Sequence, residues 1–349
     1  MKAAVYYGPN KIEVDDVPEP QPTEGTVKVK VGFNGICGTD LHEYYAGPIF
    51  VPTEPHPLTG RAMPLTIGHE FSGTITDVGA GVTGYAEGDR VSIEPVYKCG
   101  QCSPCRAGNY NVCQKIAFHG LMSDGGMAEY TVVPADMLHK LPDNVSLELG
   151  ALVEPMSVAY HAVTLGDVGS GDTAMVFGAG PIGIGLWFAL RGNGLDDIFV
   201  VEPSPTRRAS IEALGARTLD PTQIDVPAFI ADHTDGVKAD AVFDAAGVAP
   251  AVRTALECIG SRKPMISVAI YEKPLETPLL NLVMNESRIQ GSLCYTGADF
   301  EAVIALMSQG AYDTTGWVTR IPIDDVIEEG FEALHAGTKM KVLVDPANQ

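Results

Sequence analysis

Between residues 171 and 270 strand-like and helix-like segments alternate at a regular pitch. "DTAMVFGAGPIGIGLWFALRGNG" is an apolar run, a glycine turn and an apolar helix. "DIFVVEP", "RTLDP", "ADAVFDAAG" and "PMISVAI" read as further strands, and "SPTRRASIEALGA", "VPAFIADHT" and "APAVRTALECIG" as the helices between them. These strands are almost continuously apolar rather than alternating, so both of their faces must be covered. The pattern predicts an α/β fold with a doubly wound parallel sheet and helices on both sides. "SRIQGSLCY" supplies a sixth strand after a Pro-rich connection.

The flanking sequence has a different texture. Residues 1–150 carry short alternating strands such as "TVKVKVGFNGIC", "FSGTITDVG", "DRVSIEPV" and "AEYTVVP", separated by Gly and Pro turns. After about residue 290 come the helix "DFEAVIALMSQG", with Asp299 as its expected N-cap, and the closing strand "MKVLVDP". A chain of 349 residues exceeds one ordinary core, so two domains are expected. The boundaries read as 1–155 with 291–349 for a β-rich domain that the tail rejoins, and 156–290 for the α/β domain. The formal charge of −21 argues against nucleic acid and against an anionic membrane surface as partners. No run of about 18 apolar residues suggests a membrane span. The first residues, "MKAAVYYGPNKIEVDDV", lack the apolar stretch of a signal peptide, which makes the cytoplasm the expected compartment.

"VFGAGPIG" places Gly178, Gly180 and Gly183 in G-x-G-x-x-G spacing, after a strand and at the start of a helix, with Glu202 closing the next strand. Such a turn lets a pyrophosphate approach the backbone, and the helix N-terminus offers unpaired N–H groups. Pro181 lacks an N–H but sits in the first helical turn, where the loss matters least. Glu202 is placed to accept from ribose hydroxyls and to repel a 2′-phosphate, favouring NAD over NADP. Arg207 and Arg208 pull the other way.

Two groups of metal-ligating residues stand out. "CGQCSPCRAGNYNVC" spaces Cys99, Cys102, Cys105 and Cys113 as C-x2-C-x2-C-x7-C. Four thiolates suit a closed tetrahedral zinc. The bacterial ferredoxin pattern continues with x3 and proline, which this chain lacks, so an iron–sulfur cluster is disfavoured. The second group is sparse: Cys37, Thr39, Asp40 and His42 in "GICGTDLH", His69 and Glu70 in "IGHEFSG", and Glu154 in "LVEPMSVAYHA". Together they offer one thiolate, one imidazole and up to two carboxylates. Three protein ligands with an open position are the pattern of a catalytic zinc.

"GHEFSGTITDVGAGV" matches GHE-x2-G-x5-[GA]-x2-[IVSAC], and with it the four-cysteine lobe, "CGTD" and "GAGPIG" stand in the order found in the zinc-containing alcohol dehydrogenases. The chain resembles that branch of the medium-chain dehydrogenases along essentially its whole length. The stretches "DLHEYYAGPIFVPTEPHPLTG" and "NLVMNESRIQGSLCYTGADF" are similar to the (R,R)-2,3-butanediol dehydrogenases, with sorbitol and threonine dehydrogenases as near relatives. The resemblance implies a GroES-like (co-chaperonin-like) β-barrel catalytic domain beside a Rossmann domain. It implies two zincs per chain, the catalytic one held by Cys37, His69 and Glu154, with Glu70 as an alternative or transient ligand. Thr39 and His42 would then carry the proton outward. Ile182, Val268 and Ser292 join the glycine turn, Glu202 and Arg207 in the expected cofactor-binding set. A homodimer or homotetramer is expected as well.

The implied chemistry is hydride transfer from an alcohol to NAD, assisted by a zinc that lowers the pKa of the alcohol oxygen. Polyol-specific relatives carry an arginine where this chain has Cys294, and a tyrosine where it has Glu43. Both differences remove groups suited to a long hydroxylated substrate and favour a short secondary alcohol, vicinal diol or hydroxyketone such as butanediol and acetoin. Sorbitol, xylitol or threonine is the alternative. The proline-rich segment from Gly47 to Pro64 is expected to form a stiff loop at the substrate's rim.

Overall fold

A computed structural model describes residues 1–271 and 274–348. The chain divides into two units. The first comprises Met1–Glu154, Thr296–Ser308 and Trp317–Gln349, and the second Pro155–Tyr295 and Gln309–Gly316.

The second unit holds a six-stranded parallel sheet. Thr173–Phe177 and Ala241–Asp244 are central, Asp197–Val201 and Arg217–Leu219 extend one side, and Pro264–Ser267 and Arg288–Gly291 the other. The apolar runs read as strands are buried on both faces, as in Ala174, Met175, Val176, Val200, Val242, Phe243 and Ile266. Helices Pro181–Gly192, Pro205–Ala213, Val226–His233 and Ala249–Cys258 connect them. This is the doubly wound architecture, with strand order reversing beside the first strand.

The first unit is built on a mainly antiparallel seven-stranded sheet. Thr26–Gly35 runs through its middle between Glu70–Val78 and the closing strand Lys341–Asp345. Lys341–Asp345 pairs in parallel with Val318–Pro322, so the C-terminal segment completes a sheet begun near the N-terminus. Alternate residues Val27, Val29 and Val31 are fully buried with Phe71, Ile75, Val91 and Ile93.

Three elements differ from the sequence reading. A nine-residue helix, Gly38–Ala46, interrupts the β-rich region directly after Cys37. The helix Leu147–Gly166 runs for 20 residues and includes Pro155. It is buried on nearly every side, so it has no polar face to give it a helical period in the sequence. Asp299 is the third residue of the helix Gly297–Ser308 rather than its N-cap. From there its carboxylate accepts the Thr296 amide at 2.8 Å and the Thr296 hydroxyl at 2.9 Å.

Candidate functional site

Strand register builds the sparse metal group. Gly35 pairs with Glu70 and Asn34 with Phe71, which brings the end of one strand, where Cys37 follows, against the start of the next, where His69 and Glu70 lie. On the other side Gly35 pairs with Leu343, setting Lys341 two residues back, level with Cys37. One ligand atom from each of Cys37, His69 and Glu70 falls within 4.8 Å of the others. His69 and Glu70 are buried and Cys37 is half-buried. Glu154 is buried but is not a member of this group.

Asp40 organises the group. One carboxylate oxygen accepts the Cys37 amide at 2.9 Å, closing a capping box at the helix start. The other lies 3.4 Å from His69 Nδ1, beyond ordinary hydrogen-bond length, and neither atom has a hydrogen-bond partner among the described residues. A carboxylate behind one ring nitrogen leaves the other nitrogen for a metal, the usual outer-shell arrangement around zinc histidines. Burial alone would lower the His69 pKa, but the nearby Asp40 carboxylate and Cys37 sulfur outweigh it and hold the imidazole well above 6.5. A thiol, an imidazole and a carboxylate clustered on one buried spot, with an orphaned histidine–carboxylate pair, fit a zinc ion.

Lys341 was not singled out by sequence reasoning. It is fully buried, forms an ion pair with Glu70 and donates to the Ile36 carbonyl at 3.0 Å. Desolvation would lower its pKa, yet Glu70 and Cys37, with Glu154 contributing, keep the ammonium raised above 10.5. The site thus holds a permanent cation against its carboxylates. Thr39 stands next to the cluster, with Oγ1 3.6 Å from Cys37 Sγ, and His42 follows one helical turn later.

Cys99, Cys102, Cys105 and Cys113 converge as expected, with all four sulfurs within 4.8 Å of one another. Cys99 and Cys105 are 4.0 Å apart and Cys102 and Cys113 3.8 Å. The edge of a tetrahedron with 2.3 Å zinc–sulfur bonds is about 3.8 Å. Main-chain amides donate to the sulfurs, from Cys99 and Lys115 to Cys113 and from Gln101 and Cys102 to Cys99, each at 3.4 Å. Amide donation from Cys105 and Gln114 lowers the Cys102 thiol pKa, favouring thiolate.

In the second unit Gly178 has φ +102°, and a Cβ on Gly183 would collide with the Gly178 carbonyl. Gly180 is the N-cap of the helix that Pro181 and Ile182 begin. Glu202 is 4% exposed, and its oxygens accept the Ala179 and Ser204 amides, both at 2.9 Å. Its carboxylate is thereby fixed beside the glycine turn. Arg208 is occupied, donating to the Glu202 carbonyl at 2.7 Å and pairing with Asp220 at 2.8 Å, while Arg207 is exposed. Val268 and Ser292 follow the ends of two parallel strands, the rim where open α/β sheets bind ligands. Among the remaining histidines, His119 is buried between Tyr97, Ser123 and Thr131, and desolvation lowers its pKa to about 3. It serves as a neutral core group.

Comparison with known proteins agrees with both units. The alcohol dehydrogenase GroES-like domain family matches residues 23–143, and the zinc-binding dehydrogenase family residues 181–309. The (R,R)-butanediol dehydrogenase of Bacillus subtilis (strain 168) is 42% identical over 351 aligned residues, covering 99% of this chain and 100% of the relative. The crystal structure of 2R,3R-butanediol dehydrogenase from Bacillus subtilis superimposes with a TM-score of 0.93 over 99% of each chain. An Escherichia coli CFT073 alcohol dehydrogenase complexed with NADH and a Sinorhizobium meliloti 1021 zinc-binding dehydrogenase bound to NADP are each 29% identical, with TM-scores of 0.88 and 0.89 over 99% of each chain. With its GroES-like and Rossmann-type units, the chain belongs to the zinc-containing alcohol dehydrogenase family of the medium-chain dehydrogenases.

Proposed function

We propose that the protein oxidises a short secondary alcohol or vicinal diol, with 2,3-butanediol and acetoin as the substrate pair, using NAD and one catalytic zinc. The observation that carries this reading is the buried grouping of Cys37, His69 and Glu70, with Thr39 and His42 following on the same helix. Cys37 and His69 would hold the metal with a carboxylate as third ligand. Glu154 would fill that place, with Glu70, which pairs with Lys341, as the alternative or transient ligand. Zinc supplies Lewis acidity toward an alcohol oxygen, and NAD supplies the hydride acceptor.

The chain's own groups do the rest. Asp40 orients His69 and fixes the Cys37 backbone. The Thr39 hydroxyl takes the substrate's proton and passes it to His42, an imidazole that can accept at one ring nitrogen and donate from the other. Glu202 receives the adenosine ribose hydroxyls. NAD is favoured over NADP because Arg208 is spoken for by Asp220 and the Glu202 carboxylate would oppose a 2′-phosphate. The four-cysteine lobe holds a second, structural zinc.

The catalytic and NAD-binding roles fall to the two domains of the sequence reading, 1–155 with 291–349 and 156–290, although residues 291–295 and 309–316 pack within the second compact unit, and the chain works in the cytoplasm as a homodimer or homotetramer. The test is NAD reduction across butanediol stereoisomers, simple alcohols, sorbitol and threonine, beside metal analysis. Preferred turnover of butanediol by a protein with two zincs is expected. Preference for sorbitol or threonine overturns the substrate assignment. Cys37→Ser should lose about one zinc and essentially all turnover while staying folded, and near-normal turnover by that variant would remove Cys37 from the site.

A further inference from the structure

Glu43 follows His42 on the helix Gly38–Ala46, yet its carboxylate is 1% exposed and turned to a neighbouring loop. Ile49 N donates to its two oxygens at 3.1 and 3.0 Å, Val51 N donates at 3.3 Å, and Phe50 N donates as well. At the other end of the same residue the Tyr6 hydroxyl donates to the Glu43 carbonyl at 3.0 Å. Hydrogen bonds to a carboxylate are roughly twice as strong as neutral ones, and three consecutive amides leave the loop backbone little freedom.

The side chains follow from that backbone. Val51 turns inward and is 3% exposed in a core shared with Tyr6 and Tyr44. Ile49 and Phe50 turn outward, 53% and 38% exposed. The far limb is tied too, with Met63 N donating to the Pro52 carbonyl at 2.9 Å and the Thr59 hydroxyl donating to the Met122 carbonyl. The fold therefore spends a buried charge on presenting two apolar side chains to the outside. Cys37 caps the start of helix Gly38–Ala46 and residues 49–51 follow its end, so one nine-residue helix, about 13 Å long, joins the pinned loop to the metal group.

We propose that Glu43 is a positioning residue for substrate selection: by pinning residues 49–51 it holds Ile49 and Phe50 as an apolar wall that admits short, alkyl-ended alcohols and disfavours polyhydroxylated ones. The inference deepens the proposed function and rests on it. Hydroxyls passing an apolar wall lose water without gaining partners, and this penalty falls on longer polyols.

The experiment compares kcat and KM for 2,3-butanediol, 2-butanol and sorbitol in the zinc-loaded wild type, Glu43→Ala, Glu43→Gln and Phe50→Ser, with limited proteolysis of the loop. Glu43→Ala should lower the preference for the short substrate by about tenfold, through KM, and expose residues 47–64 to cleavage. Glu43→Gln, which keeps an accepting oxygen, should fall between. Phe50→Ser should reproduce the loss of preference with the loop still protected, which also covers the case in which Glu43→Ala fails to fold. An unchanged preference in Phe50→Ser, or in a folded Glu43→Ala with a cleavable loop, overturns the proposal. A wild type that ignores butanediol defeats the substrate assignment instead, and the 2-butanol to sorbitol ratio then decides the role of Glu43.

Discussion

At the residue scale the informative pair is Lys341 and Glu70. Both are buried and joined directly, although 271 positions separate them. Nothing local marks Lys341: in "TKMKVLVDP" a lysine at the head of a strand reads as a solvated edge charge. Its burial follows from the strand register that sets it level with Cys37, and register with a distant strand is not written in any short window. Cys37 and His69, by contrast, were legible because metal-ligating side chains announce their chemistry wherever they stand. Asp40 stands beside Cys37 in "GICGTDLH", but its place 3.4 Å behind the His69 ring follows only from the fold. Removing one partner of a buried pair leaves a charge without compensation, so Lys341→Met should destabilise the fold by about 3–5 kcal/mol. Adding Glu70→Gln to that variant should recover most of the loss. Denaturant titration of the two single variants and the double measures the coupling, and additive losses would contradict a direct pairing.

At the element scale the two metal groups differ in how they are held. The sparse group hangs on three strands and one helix of a packed sheet, so the fold precedes the metal. The cysteine lobe has little regular structure of its own: the four-residue helix Ser103–Arg106 and a short turn over Tyr110–Val112. Its attachment runs through Tyr110, whose hydroxyl donates to Glu94 at 2.6 Å and accepts the Gly297 amide. Glu94 is also 2.9 Å from His139 Nε2. A lobe with so little apolar packing depends on its metal for order, since binding energy at such sites is folding energy. Cys102→Ser should therefore lower the melting temperature by roughly 5–10 °C, a loss on the order of 3 kcal/mol, while the folded fraction keeps its rate of hydride transfer. Calorimetry and single-turnover kinetics separate the two effects. A thermally unchanged variant with a slowed hydride step would place chemistry in the lobe. Sequence spacing sufficed to find this site because all four ligands lie within fifteen residues. The same local view misses helix Leu147–Gly166, whose burial on nearly every side erases the periodicity by which helices are found.

At the scale of the whole molecule the second unit leaves one side of its sheet unfinished. Arg288–Gly291 is the last strand in the order, and the helix that precedes it, Leu279–Asn285, has Leu279, Leu280, Val283 and Met284 between 65% and 74% exposed. Ile289 and Leu293 extend the apolar surface along the strand. Scattered exposed apolar residues are ordinary, but five on one strand and its adjoining helix, with Leu293 just beyond, beside a strand edge that no other described strand pairs, form a surface that water alone serves poorly. A second copy related by a two-fold axis would cover it with the same residues and continue the sheet across the junction. Each fully buried Leu, Val or Met side chain adds about 1.5–3 kcal/mol, so burying the four helix residues on each copy would favour such a pair against the cost of association. Sedimentation should give the wild type a multiple of 36.9 kDa. Val283→Asp with Met284→Lys should dissociate it toward the single-chain mass without loss of zinc, because neither residue touches the metal groups. An unchanged mass in that variant would send the association to another surface, and a wild type already at 36.9 kDa would refute self-association altogether.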